Sequence, residues 1–324
     1  MIRFVCLLGA ILLFSAFQKD TDIDDSSWWL TDRAQQKAES LAFKQGLKDT
    51  ILHVASSDYH LWLPQKLTGD KPLLIFVHGM GLNGIGQWKE QIEAFSKDFQ
   101  LIIPDLVGYA GSSNPTNAFS PEIQAQTLYL ALRKLGINSP VNLAGFSYGG
   151  LVVATFHDLY PQMTNRLAIC DAPVKYFTKH MADSIVSSRG LTHFEQLLSP
   201  KTKKETKEFF DAVYGKMAPP LPGPVRKKAS KYIFTTNADT KRKQMDHLEK
   251  FAENYVGKAY DLNSSKTLFF WGERDGVIPL EVGRKLHRDY PEAKWITHPK
   301  AKHDALMTFA NAYNQILLDH FNGE

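Results

Sequence analysis

Ser147 stands between two glycines, Gly145 and Gly149, in a G-x-S-x-G pentapeptide. An apolar run over 141–144 precedes it, and a helical pattern beginning with Leu151, Val152, Val153 and Ala154 follows. A serine on so sharp a strand-to-helix turn takes up a strained backbone conformation, and the residues two positions away must be small to avoid collision. The turn lifts the hydroxyl clear of the sheet, and the next helix aims its first N–H groups at whatever oxygen reacts there. This is the setting of a nucleophile elbow. A serine hydroxyl is a weak nucleophile at neutral pH, so it needs a base within hydrogen-bond reach and a further group to orient that base. Asp275 follows the apolar run 268–271, and His303 follows the strand-like run 294–297. The order Ser, Asp, His is the one expected on this kind of sheet, and both candidates fall in strand-end loops, where ligands gather in open α/β sheets.

Other residues compete for these places. Glu273 falls two residues early for the acid. Asp304 adjoins His303 and is expected to cap the helix after it. His298 lies at a strand end before Pro299, and His78 suits a structural role better than proton transfer. His53, His60, His157, His180 and His193 show no ligand spacing, and no metal is expected.

Such side chains meet only if the elements between them form a sheet. The segments 51–55 and 59–63 read as an opening hairpin with Ser56, Ser57 and Asp58 as its turn. Short apolar or mixed runs at 73–77, 101–103, 141–144, 167–169, 268–271 and 294–297 suit strands covered on both faces. Helical patterns lie between them at 87–97, 121–135, 149–160, 280–289 and 303–321, and Ser120 with Pro121 makes a good helix start. Alternating strands and helices predict a mostly parallel sheet flanked by helices. The alternation stops over 173–265, which is helical in pattern and interrupted by a proline-rich stretch at 219–224 that reads as a rigid turn. An insertion there would sit over the strand ends as a cap.

With these pieces in order, the chain resembles the α/β-hydrolase superfamily, in its group of serine hydrolases with a helical cap, over residues 51–321. His78, Gly79, Met80 and Gly81 resemble the family's oxyanion loop. Asp105 and Gly108 resemble its D-x-x-G turn, Gly272 to Asp275 its acid loop, and His303 its histidine loop. The resemblance implies Ser147 as nucleophile, His303 as general base and then acid, and Asp275 as the orienting carboxylate. The backbone N–H groups of Met80 and Tyr148 would form the oxyanion hole. It also implies an esterase- or lipase-like enzyme that cleaves carboxylic (acyl) esters, small-molecule or lipid, through an acyl-enzyme and without a cofactor. The same residues would serve C–C bond, amide or perhydrolase-type chemistry, and a non-catalytic binding homologue is the alternative from another class. A serine at the elbow argues against the superfamily's dehalogenases and epoxide hydrolases, which use aspartate there. One departure is visible. The stretch from Gly108 to Ser112 reads G-Y-A-G-S where G-x-G-x-S is usual, which puts the geometry of that loop in question.

The 324 residues are enough for one large α/β domain with an insertion, or for two domains. The net charge of +4 is too small to suggest a nucleic-acid partner. A short positive start followed by an apolar run over 4–17 is too short for a membrane span and fits a signal peptide. The chain therefore reads as exported to the periplasm or secreted, with an uncleaved N-terminal anchor as the other reading. Cys6 lies inside that run, so removing the leader leaves Cys170 alone, expected as a buried core thiol. The expected organisation is a signal peptide or anchor over 1–17, an extension over 18–50, a hydrolase core over 51–172 and 266–324, and a helical cap over 173–265. Phe177, Phe194, Phe209, Phe210, Tyr214, Tyr232 and Phe234 in the cap line an acyl cavity or pack the cap down, with two or three expected to face the cavity. From 201 to 258 there are 14 Lys or Arg against 7 Asp or Glu. That surplus reads as a solvated face or as a surface that approaches an anionic membrane.

Overall fold

The computed structural model describes residues 28–81, 83–215, 238–250 and 252–324. The leader at 1–17, the proline-rich turn at 219–224, and Tyr232 and Phe234 lie outside the described residues. Eight strands form one sheet in the order β1-β2-β4-β3-β5-β6-β7-β8: β1 Leu47–Val54, β2 Ser57–Pro64, β3 Leu73–Val77, β4 Gln100–Pro104, β5 Val141–Phe146, β6 Thr164–Cys170, β7 Thr267–Gly272 and β8 Lys294–His298. The first two run antiparallel to their neighbours and the other six pair in parallel. This is the mostly parallel sheet that the alternation predicted.

Strand periodicity explains how the sheet is buried. Side chains alternate between faces. Ile75 and Val77, with Leu143, Ile169 and Phe269, pack beneath the helices Pro121–Lys134 and Tyr148–Leu159. Leu74 and Phe76, with Ala144, Ala168 and Phe270, face the helices Lys89–Phe95 and Ala310–Asn322. Both faces are dry, which is why these strands read as unbroken apolar runs. Cys170 is fully buried in the second layer, and burial pushes its thiol well above the ordinary range.

Four expectations shift. The hairpin turn is at Ala55 and Ser56, with Val54 opposite Ser57, not over 56–58. Ala55 takes a left-handed φ of 52°, and Ser57 is a buried strand residue. β1 begins at Leu47, and the helix Trp28–Lys44 buries Ala38 and Ala42 in the second layer, so the stretch 28–50 belongs to the core rather than to an extension. The segment at 87–97 forms two short helices, Gly84–Gln87 and Lys89–Phe95, broken at Trp88. The final helix is likewise two, Ala305–Thr308 and Ala310–Asn322, broken at Phe309. Ser120 does cap its helix, with its hydroxyl oxygen accepting from the Ile123 N–H at 3.2 Å.

Between β6 and β7 the described residues form the helices Lys179–Ser188, Phe194–Leu198, Lys203–Val213 and Ala238–Lys250. A third apolar cluster, including Leu197, Phe209 and Val213 with Trp271, Val277 and Ile278, packs this segment onto the end of β7. Among the described residues no helix is long and apolar enough to cross a membrane.

Candidate active site

Ser147 occupies the turn between β5 and the helix Tyr148–Leu159 with φ 53° and ψ −124°, a region a non-glycine residue enters only at a cost of about 1–3 kcal/mol. The glycines around it are dictated by close approach. A Cβ on Gly145 would lie 2.2 Å from the Gly149 carbonyl oxygen, and one on Gly149 would lie 2.2 Å from that of Val77. The Ser147 N–H donates to the Cys170 carbonyl at 2.9 Å, which ties the turn to β6.

His303 and Asp275 converge on this serine from loops 28 residues apart. His303 Nε2 is 3.0 Å from Ser147 Oγ, and its Nδ1 is 2.7 Å from Asp275 Oδ2. The other oxygen, Asp275 Oδ1, accepts from the N–H groups of Val277 at 2.7 Å and Ile278 at 2.9 Å. Those two donors fix the carboxylate plane and leave Oδ2 for the imidazole. The Asp275 side chain is sealed from solvent and His303 nearly so, and Phe146 packs 4.9 Å from the His303 ring. The order His–Asp and His–Ser assigns Nδ1 as donor and Nε2 as acceptor, a base aimed at a hydroxyl.

The loop after β3 is held from behind. The Gly79 N–H donates to Gln87 Oε1 at 2.6 Å. His78 Nδ1 donates to the Gly79 carbonyl at 2.7 Å, while its Nε2 accepts from the Leu106 N–H at 2.9 Å. Both His78 nitrogens are thereby committed to backbone, and burial holds the imidazole neutral, below the ordinary histidine range. Its role is structural, as expected. Met80 and Tyr148 both line the cavity beside Ser147, and Tyr148 opens a helix whose first N–H groups have no partner within the helix. The loop after Asp105 takes its shape from left-handed Gly108 and Ala110, and it reaches the cap. Thr240 Oγ1 donates to the Gly108 carbonyl at 3.1 Å, and the Tyr109 hydroxyl donates to Gln244 Oε1.

The rival residues sit elsewhere. Glu273 accepts from Thr297 Oγ1 at 2.7 Å on an exposed edge. His298 packs on Phe309 at 4.1 Å. Asp304 occupies the cap position of Ala305–Thr308, but its side chain makes no capping bond. It is buried instead, and burial holds its carboxyl well above the ordinary range. Sequence reasoning missed Asp171. It follows β6 in a left-handed conformation with φ 48°, and its Oδ1 accepts from the Gly272 N–H at 2.7 Å. Burial first, and then the Asp275 carboxylate, push its acid well up. Its signal was an aspartate directly after an apolar strand. Gln87, which steadies Gly79, carried no signal.

The site opens into a cavity of about 480 Å³, within the range of small-molecule pockets. Phe177, Phe194, Phe209 and Tyr214 line it, four of the named aromatics rather than two or three. The last turn of Lys203–Val213 is bonded to both loops below. The Gly276 N–H donates to the Ala212 carbonyl and the Asp304 N–H to that of Val213, each at 3.3 Å.

A profile described as alpha/beta hydrolase fold matches residues 72–310. Lipase 1 of Psychrobacter immobilis is 28% identical over 261 residues, covering 78% of this chain and 77% of its own. A pimeloyl-[acyl-carrier protein] methyl ester esterase of Vibrio atlanticus is 26% identical over 76% of this chain and 93% of its own. The crystal structure of a membrane phospholipase A superposes with a TM-score of 0.70 at 19% identity over 90% of each chain, which is a likeness of fold.

Proposed function

The chain belongs to the alpha/beta hydrolase fold family, and on that premise we propose that it is an exported serine hydrolase cleaving carboxylic esters through an acyl-enzyme. The observation that carries this reading is the unbroken chain of contacts Asp275–His303–Ser147, at 2.7 and 3.0 Å, at the floor of an apolar-walled cavity. Ser147 Oγ attacks the ester carbonyl carbon while His303 Nε2 takes the hydroxyl proton. The carbonyl oxygen becomes an oxyanion, received by the N–H groups of Met80 and Tyr148. One such donor contributes about 2.7–4 kcal/mol to transition-state stability. The imidazolium, steadied by Asp275, gives its proton to the departing alkoxide and leaves an acyl-serine. Water then attacks the acyl carbon with His303 as base. The carboxylic acid leaves, and Ser147 recovers its proton.

The cavity's aromatic wall supports an acyl chain as the group held, and the lipase and esterase names of the relatives point to the same bond. Export is proposed on the positive start and the apolar run over 4–17. The test is direct. A fluorophosphonate probe should label the wild-type protein at Ser147, and Ser147→Ala should abolish both labelling and turnover of a chromogenic short-chain ester. Wild-type turnover in the alanine variant refutes the proposal.

A further inference from the structure

Gln87 closes the short helix Gly84–Gln87 and lines the cavity together with Met80, Ser147 and Tyr148. The residue is 5% exposed. Its Oε1 accepts from the Gly79 N–H at 2.6 Å. A backbone N–H can only donate, so this bond settles which end of the carboxamide faces the loop after β3. The oxygen is turned to Gly79 and the NH2 away from it. Among the described residues Gln87 Nε2 meets no hydrogen-bond acceptor. Nor is it one of the polar atoms sealed in the core without a partner.

The frame that carries this side chain is rigid. The Gly84 N–H donates to Asp105 Oδ1 at 2.7 Å, and the Gly86 N–H to Asn83 Oδ1 at 2.9 Å. A Cβ on Gly84 would stand 2.6 Å from the Pro104 carbonyl oxygen, so the helix is seated directly on the end of β4. Gly79 in turn lies against the elbow, where a Cβ on it would be 3.0 Å from that of Ser147. The carboxamide therefore grips the residue before Met80, and that residue touches the serine.

Holding the loop needs only an acceptor. The carboxamide takes the Gly79 N–H out of use as a donor and offers N–H groups of its own from Nε2, polarised by the bond at its oxygen. A buried amide donor without a partner is costly, and the cavity is where this one can find an oxygen. A donor fixed in advance suits developing negative charge, because nothing has to reorganise when the charge appears.

We infer that Gln87 is a third oxyanion donor, its Nε2 binding the oxygen of the tetrahedral intermediate alongside the Met80 and Tyr148 N–H groups. This rests on the ester-hydrolase reading above and adds a side chain to a cradle otherwise made of backbone.

The test uses an oxoester and the thionoester of the same acid and alcohol, in which a poorly accepting sulfur replaces the carbonyl oxygen. Both are assayed with the wild-type protein, Gln87→Glu and Gln87→Met. Gln87→Glu keeps an acceptor for Gly79 but sets an oxygen where the NH2 stood, and Gln87→Met supplies neither group. The wild type should favour the oxoester. In both variants kcat for the oxoester should fall about a hundredfold, as for the loss of one oxyanion donor, with KM little changed. The oxoester-over-thionoester ratio of kcat/KM should shrink with it. If Gln87 only holds the loop, folded Gln87→Glu keeps kcat near the wild-type value, and that result overturns the inference. So does a loss carried by KM, which would put the NH2 on another oxygen of the substrate, and so does an equal fall for both esters. A wild type with no preference for the oxoester overturns it whether or not the variants fold. Failure of the hydrolase reading looks different: neither ester is turned over, and Ser147 takes no fluorophosphonate.

Discussion

Replacing Asp275 by asparagine separates orientation from mere presence at the acid position. The two side chains are isosteric. In the wild type, Oδ1 accepts from two backbone N–H groups at 2.7 and 2.9 Å, and Oδ2 faces His303 Nδ1 at 2.7 Å. A carboxamide has a single oxygen. Setting it toward Val277 and Ile278 keeps two hydrogen bonds, together about 2 kcal/mol. The opposite flip loses both and sets an NH2 against two N–H donors. The amide therefore turns its NH2 toward His303, whose Nδ1 must become the acceptor, and the ring proton moves to Nε2, facing Ser147. The base is then protonated on the side where it must accept. A wrong tautomer of this kind costs roughly 10⁴-fold in kcat, equivalent to about 5.5 kcal/mol. The measurement is kcat for a chromogenic ester, alongside thermal melts to confirm that the loop bonds survive. A folded Asp275→Asn protein within tenfold of wild-type kcat would refute the tautomer reasoning.

Gly149→Ala should be severe for a different reason. The new methyl meets the Val77 and His78 carbonyl oxygens at 2.2 and 2.5 Å, so the helix must lift from β3. We expect a stability loss of about 1–3 kcal/mol or more and roughly a hundredfold loss of kcat from the displaced site; a melting temperature matching wild type would count against it. His320 bears on acid stability. Burial first, and then Arg166, lower its pKa to about 4, and Nε2 donates to the Leu167 carbonyl at 3.1 Å. The unfolded chain takes up this proton near pH 6.5 and the folded chain only near 4. Stability should therefore fall as pH drops through that window, by up to about 3 kcal/mol. His320→Gln, which keeps a donor but does not titrate, should flatten the slope of denaturation free energy between pH 7 and 4.5, and equal slopes would refute the assignment.

What could be read in advance followed the physics of burial. β3 and β5 to β7 were legible because strands covered on both faces need unbroken apolar runs. The hairpin turn was misplaced because Ser57 and Asp58 look like turn residues in composition, whereas the left-handed position went to Ala55, which carries no such signal. Helix breaks at Trp88 and Phe309 were invisible because tertiary packing, not propensity, sets them. Ser147, Asp275 and His303 could be singled out because each follows a strand end at a spacing that chemistry requires, and the structure brings the three within hydrogen-bond reach.

The last turn of Lys203–Val213 lends carbonyl oxygens to Gly276 and Asp304, immediate chain neighbours of Asp275 and His303. A roof that swings aside on a hinge would tear both bonds and loosen the machinery it covers. This part of the ceiling thus serves as a keystone. Substitutions at the side chains that hang from it into the cavity, such as Phe209 and Val213, would alter the ceiling without breaking either bond.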